Sequence, residues 1–261
     1  MPGFEEDREY FQGGQTKAKK LRPVKEKANN STLSFAKVFG YMFMYLAITA
    51  AVAFGLGYFI SKSYVDQYGS TYKFSVGGPI GNLYLGLIIG AAVGMIIMTI
   101  VIQFVFIKGK HSVLVPSIIY SILVGVLFST FTIFFDWKLI GMAFGITCGT
   151  FLIMSLIATF SKGNFAPLAI VALGILIGIV PLTLINLFFF NQTLYWVISF
   201  AIFAAIMFIT MFDIWNIKKI TERGEMDRNL SYYCAFTMYV DFINIFIRIL
   251  YFLALIYGNK K

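Results

Sequence analysis

Cysteine, histidine and charge are scarce in this chain of 261 residues. Cys148 and Cys234 are too few for a disulfide-built scaffold, and with His111, the one histidine, they cannot supply the ligand set of a structural zinc site. Charged residues make up 13% of the sequence, against about 25% in an ordinary soluble domain. Hydrophobic residues make up 59%, more apolar surface than a water-soluble fold of this size can hide.

What is present is a series of long apolar runs. A hydrocarbon core of about 30 Å asks for about 20 apolar residues per helical span. Seven such runs occur, over Phe35–Ile60, Ile80–Ile107, Val113–Phe134, Leu139–Phe160, Ala166–Phe190, Leu194–Trp215 and Tyr232–Tyr257. They are continuously apolar and do not alternate, which argues against a strand barrel, since a spanning backbone must satisfy its own polar groups. The expectation is an all-α polytopic membrane protein with seven transmembrane helices over residues 34–261. A largely polar stretch of more than thirty residues precedes the first run, so a retained helix and not a signal peptide is expected.

The leading segment, residues 1–33, mixes Glu5, Glu6, Asp7 and Glu9 with Lys17, Lys19, Lys20, Arg22, Lys25 and Lys27 and reads as a disordered, solvated, basic tail. Lysine and arginine set the orientation. With the tail in the cytoplasm, fifteen basic residues fall on that side, including Lys108, Lys110, Lys162, Lys218, Lys219, Arg223 and Arg228. Five fall on the other: Lys62, Lys73, Lys138, Lys260 and Lys261. The expected product is an integral, multi-pass protein of the plasma (inner) membrane with a cytoplasmic N-terminus. The net charge of +9 then needs no nucleic acid to explain it, because basic residues beside spans meet anionic lipid headgroups. Membrane lipids are the expected partners, and no pattern of residues fixes an oligomeric state.

Several signals read as packing. Gly86, Gly90 and Gly94, then Gly141, Gly145 and Gly149, then Gly174 and Gly178 form stripes on which another helix backbone can approach. Trp196 and Trp215, about 28 Å apart along the sixth span, suit the two membrane interfaces. Pro181 and Asn186 are positions for a bend in the fifth span.

Two acidic residues stand apart. Of twelve, only Asp213 and Asp241 fall in or against apolar runs. A carboxylate at a helix centre costs about 2.5–3.5 kcal/mol on insertion scales, so it faces a bundle interior or a wet cavity. Thr237, Asp241, Asn244 and Arg248 lie within a sector of about 60° on the seventh helix and form a polar stripe. A purely structural Asp241–Arg248 link is one reading of it, although the two are separated by about 10 Å along the axis. Asp213, two residues from Trp215, is either a wet carboxylate at the membrane surface or a second functional acid. Measured from Trp215 and from Tyr232, the two acids differ in depth by about 10 Å, a gap that a sixth helix running on to Lys218 and Lys219 with snorkelling side chains, or helix tilt, would absorb.

The segment Met211-Phe212-Asp213-Ile214-Trp215-Asn216-Ile217-Lys218, followed by a charged loop and Met238-Tyr239-Val240-Asp241-Phe242-Ile243-Asn244-Ile245-Phe246-Ile247-Arg248, resembles the sixth and seventh helices of the transmembrane Bax inhibitor motif (Bax inhibitor-1-like) family. The resemblance runs from about Ser34 to the end, and the Tyr-x-Asp-Phe-Ile-Asn segment is its most specific part. It implies a bundle in which the last helix is central and surrounded by the other six. It also implies a calcium leak that responds to pH, with Asp213 and Asp241 as the proton-sensing pair and weak calcium ligands. Calcium and protons would be the passing or bound ions, with no cofactor. At one place the pattern departs: some relatives set a basic residue of the second helix against the sixth-helix aspartate, whereas Leu83–Ile107 contains no Lys or Arg, which leaves Arg248 as a substitute for that latch.

The chemistry does not depend on the resemblance. Two carboxylates in a poorly solvated place cannot both ionise cheaply and tend to share a proton. Calcium accepts oxygen ligands in forgiving geometry, and two carboxylates bind it weakly, as conduction requires. An aspartyl intramembrane protease would need a Gly-x-Gly-Asp motif that is absent, and His111 lies in a loop, so no enzyme is expected. A retinal receptor would need a lysine in the last helix, and none lies between Ser231 and Asn259. A proton-coupled secondary transporter of an ion or small solute is the alternative to a channel.

Overall fold

A computed structural model describes residues 24–68, 79–109, 111–161 and 163–258. Seven helices follow one another: α1 Val24–Tyr68, α2 Pro79–Lys108, α3 Leu114–Phe134, α4 Trp137–Phe160, α5 Ala166–Phe189, α6 Gln192–Arg223 and α7 Arg228–Gly258. Each is long and apolar enough to cross a membrane, and no strand occurs among the described residues. The expected all-α, seven-span architecture is the observed one. Helix α1 starts at Val24, so the last ten residues of the stretch read as a solvated tail are helical. Residues 1–23, Lys73, Lys110, Lys162, Lys260 and Lys261 lie outside the described residues.

Local chemistry sets the helix ends. Pro116 and Pro167 sit in the first turns of α3 and α5, where a missing N–H costs nothing. Helix α5 runs through Pro181 and closes at Phe190, whose N–H donates to the Asn186 carbonyl. The Asn186 side chain accepts from the Asn191 N–H at 3.0 Å, so Asn186 fastens the end of α5 instead of hinging its middle. Asn191 in turn caps α6, accepting from Leu194 N–H, and Gly224 ends it with a φ of 74°, a conformation in which a side chain would be strained. Asp227 accepts from Leu230 N–H at 2.6 Å in the first turn of α7.

Helix α7 lies at the centre. It packs against α1, α2, α3, α4 and α6. The expectation that all six other helices surround it is corrected in one respect: α5 packs against α6 alone and stands outside the ring. Of its residues only Ala172 and Ile179 are buried, and most of its apolar side chains face outward. Such a surface costs nothing in lipid, which is as apolar as the side chains themselves.

The glycine stripes are also corrected, except at Gly94, where a Cβ would lie 3.1 Å from Leu123 Cδ1 of α3. A Cβ placed at Gly86, Gly90, Gly141, Gly145, Gly149, Gly174 or Gly178 would meet nothing within 4 Å. The close backbone approach is between α1 and α3. A Cβ at Gly125 would lie 2.7 Å from Val52 Cβ and 2.9 Å from the Thr49 carbonyl oxygen, so this glycine lets α1 and α3 touch. The same interface carries a buried polar knot, in which the Thr49 hydroxyl donates to the Ser121 carbonyl at 3.0 Å and pairs with the Tyr239 hydroxyl of α7 at 2.6 Å. Trp215 is likewise not an outward anchor: it is buried, packs on Phe165 and Phe212, and carries the Lys219 ammonium 3.7 Å above its ring.

Candidate functional site

Helix α6 does not stop at Trp215, where the apolar run gives way to Asn216, Lys218 and Lys219. It continues to Arg223. Lys218 Nζ donates to the Thr159 carbonyl near the end of α4 and faces Glu222 one turn on, at 3.8 Å. Trp215, Ile217 and Thr221 are buried, so this last part of α6 is held by packing on one side while its cations reach the other.

The extension removes the mismatch in depth. Measured from the α6–α7 turn, Asp213 lies ten residues before the end of α6 and Asp241 thirteen after the start of α7. These are about 15 and 20 Å along the two axes, a difference of about 5 Å that helix tilt absorbs. The side chains of Asp213 and Asp241 lie against each other, close enough to share a proton. Asp241 is 7% exposed, Asp213 is half-buried, and Asp241 Oδ2 is buried with no partner.

One further residue belongs to the pair. The buried Thr210 hydroxyl also reaches Asp241. It precedes Asp213 by three residues on the same helix face, and a hydroxyl one turn from the intramembrane acid is the signal that points to it. Thr210 also donates to the Ile206 carbonyl at 2.9 Å.

The polar stripe on α7 divides. The Thr237 hydroxyl donates to the Tyr233 carbonyl of its own helix at 3.1 Å and takes no part in the acid pair. Asn244 and Arg248 line a separate cavity with Tyr195, Ile206 and Tyr251. Arg248 forms no ion pair with either aspartate, so neither the Asp241–Arg248 link nor the substitute latch is formed. Lys218 and Lys219 are engaged elsewhere, and no cation among the described residues lies within ion-pair distance of the acids. No cluster of three or more His, Cys, Asp or Glu occurs among the described residues. The pair therefore offers oxygen donors alone, two carboxyl groups and one hydroxyl, a set suited to a proton or to a hard cation held loosely.

Seven spanning helices, five of them packed around a sixth, α7, with two acids in contact between the last two, define an integral multi-pass membrane protein. Residues 31–258 match the family described as inhibitor of apoptosis-promoting Bax1, and the chain belongs to that family. It is 27% identical over 234 residues to the inner membrane protein YbhL of Escherichia coli, which covers 87% of this chain and 91% of that one. It is 31% identical over 143 residues to an uncharacterised protein of Borreliella burgdorferi, covering 52% and 61% of the two chains. An uncharacterised membrane protein of Streptococcus pyogenes is 28% identical over 163 residues, covering 62% and 71%.

Proposed function

We propose that this protein is a pH-sensitive calcium, or more broadly cation, leak channel gated by the proton shared between Asp213 and Asp241, and not an enzyme. The contact of the two carboxyl groups carries the reading. Two carboxyl groups held together away from water cannot both ionise cheaply, so one keeps a proton that the other can accept.

Loss of the shared proton leaves two negative charges in contact with no cation nearby. They repel, α6 and α7 are pushed apart, and the carboxylates become weak ligands for a passing cation. The buried Asp241 Oδ2, which has no hydrogen-bond partner, would gain one in such an ion. Low pH closes this path and higher pH opens it. The N-terminus is assigned to the cytoplasm and the whole to the plasma (inner) membrane, following the basic residues at the α6–α7 turn and the inner-membrane relative.

Calcium flux into liposomes holding the purified protein tests the reading. The wild-type rate is expected to rise with pH. Asp213→Asn and Asp241→Asn each place an amide donor against the remaining carboxylate, keep the pair bonded at every pH, and are expected to give a low, pH-independent rate. A wild-type flux equal to that of empty vesicles, or an unaltered pH response in both variants, sinks the channel. Saturable counterflow of another solute would assign a carrier.

A further inference from the structure

Arg248 is a guanidinium in a spanning helix without a counter-charge. Among the described residues it has no ion pair and no hydrogen bond, although an arginine at such depth is costly unless something neutralises it. None of the acids whose side chains are described pairs with it: Asp213 and Asp241 face each other, Glu222 faces Lys218, Asp227 caps the first turn of α7, and Asp136 and Glu225 are exposed turn residues.

Its surroundings are built for an anion. Arg248 and Asn244 line a cavity of about 280 Å³ between α6 and α7. Across its mouth the Tyr195 hydroxyl of α6 and the Tyr251 hydroxyl of α7 are hydrogen-bonded to each other, and Arg248 acts electrostatically on Tyr251. One guanidinium, one amide and two phenols give a donor-rich wall with a single positive charge.

The place in the bundle decides which anion. Tyr195 lies three residues from the start of α6 and Tyr251 seven from the end of α7, about 5 and 10 Å along the axes. Helix α7 is about 46 Å long, the thickness of a bilayer with its headgroups, so the mouth opens near headgroup level and Arg248 sits just below it. Beside it Trp196 stacks on Phe200 and Phe252, the aromatic arrangement that marks a membrane interface. A lone arginine below the headgroups draws a phosphate down to itself through local thinning of the bilayer.

We propose that the α6–α7 cavity binds the phosphodiester of an anionic phospholipid, with Arg248 as the charge partner and Asn244, Tyr195 and Tyr251 bonding to the phosphate and the headgroup hydroxyls. The site stands on its own whether or not the acid pair gates a channel.

Native mass spectrometry of the full-length protein in phosphatidylcholine nanodiscs doped with phosphatidylglycerol reads the site directly. One phosphatidylglycerol is expected to be retained in preference to phosphatidylcholine. Arg248→Gln is expected to weaken that retention about tenfold, the loss of one charge-assisted contact. Arg248→Lys should keep part of it, and Arg223→Gln, at the other end of the bundle, all of it. Tyr251→Phe preserves ring and charge and is expected to weaken retention about threefold, which keeps the test open should Arg248→Gln fail to fold. Equal retention of the two lipids by wild type, or unchanged retention in both Arg248→Gln and Tyr251→Phe, overturns the proposal. Displacement of the lipid by inorganic phosphate overturns it too, assigning a soluble anion to the cavity.

Discussion

Gly125 and Gly145 occupy the interiors of neighbouring helices and look alike in sequence, yet they do different work. At Gly125 an added methyl collides with Val52 Cβ and with the Thr49 backbone, neither of which can turn away. Gly125→Ala is expected to force α1 off α3 and to cost about 1–3 kcal/mol, seen as a lowered unfolding temperature in detergent. At Gly145 the methyl enters open space, so Gly145→Ala should be neutral or gain up to about 1 kcal/mol from backbone entropy. Equal effects at the two positions would mean that α1 and α3 are not in backbone contact. Tyr239 supplies a second residue-scale case. Tyr239→Phe removes the 2.6 Å bond to Thr49 but leaves that hydroxyl its bond to the Ser121 carbonyl, so nothing buried is stranded. A loss of about 1 kcal/mol in the same unfolding measurement is expected.

At the scale of the element, α6 separates what the sequence made legible from what it did not. Seven spans, their order and both aspartates can be read from hydropathy and from the cost of charge in lipid. The end of α6 can be read only in part: the sequence allows it to run on to Lys218 and Lys219 but does not place its end at Arg223. Lys218, Lys219 and Glu222 resemble a loop by composition, and only their tertiary partners, the Thr159 carbonyl and the Trp215 ring, explain why the helix persists to Arg223. Asp213 then falls near the level of Asp241 instead of at a helix end. The glycine stripes were misleading for a related reason: small residues permit close approach, but lipid satisfies an open groove as well as a helix does. Asn216 tests the extension. Its side chain is exposed, so Asn216→Ala should change little. Asn216→Pro breaks a helix that runs on for seven more residues and is expected to cost about 3 kcal/mol in the unfolding measurement and to abolish the pH response of calcium flux. Tolerance of the proline would mean that α6 ends at Trp215.

For the whole molecule, an odd number of spans puts the two ends of the bundle in different compartments, and every inter-helix turn alternates sides with its neighbours. The α6–α7 turn is flanked by Lys218, Lys219, Arg223 and Arg228, whereas the stretch that holds the α5–α6 turn has no Lys or Arg between Lys162 and Lys218 in the sequence. On the proposed orientation the first faces the cytoplasm and the second the outer side. Both native cysteines are at least half-buried within helices, Cys148 in α4 and Cys234 in α7, which leaves a low background for a membrane-impermeant maleimide. On intact cells Asn191→Cys is expected to label and Glu225→Cys only after the membrane is opened. The reverse pattern would invert the bundle. It would move the Arg248 cavity from the outer leaflet to the inner one, and the acid pair, about 15 Å in from the α6–α7 turn, would then answer to the acidity of the outside instead of that of the cytoplasm.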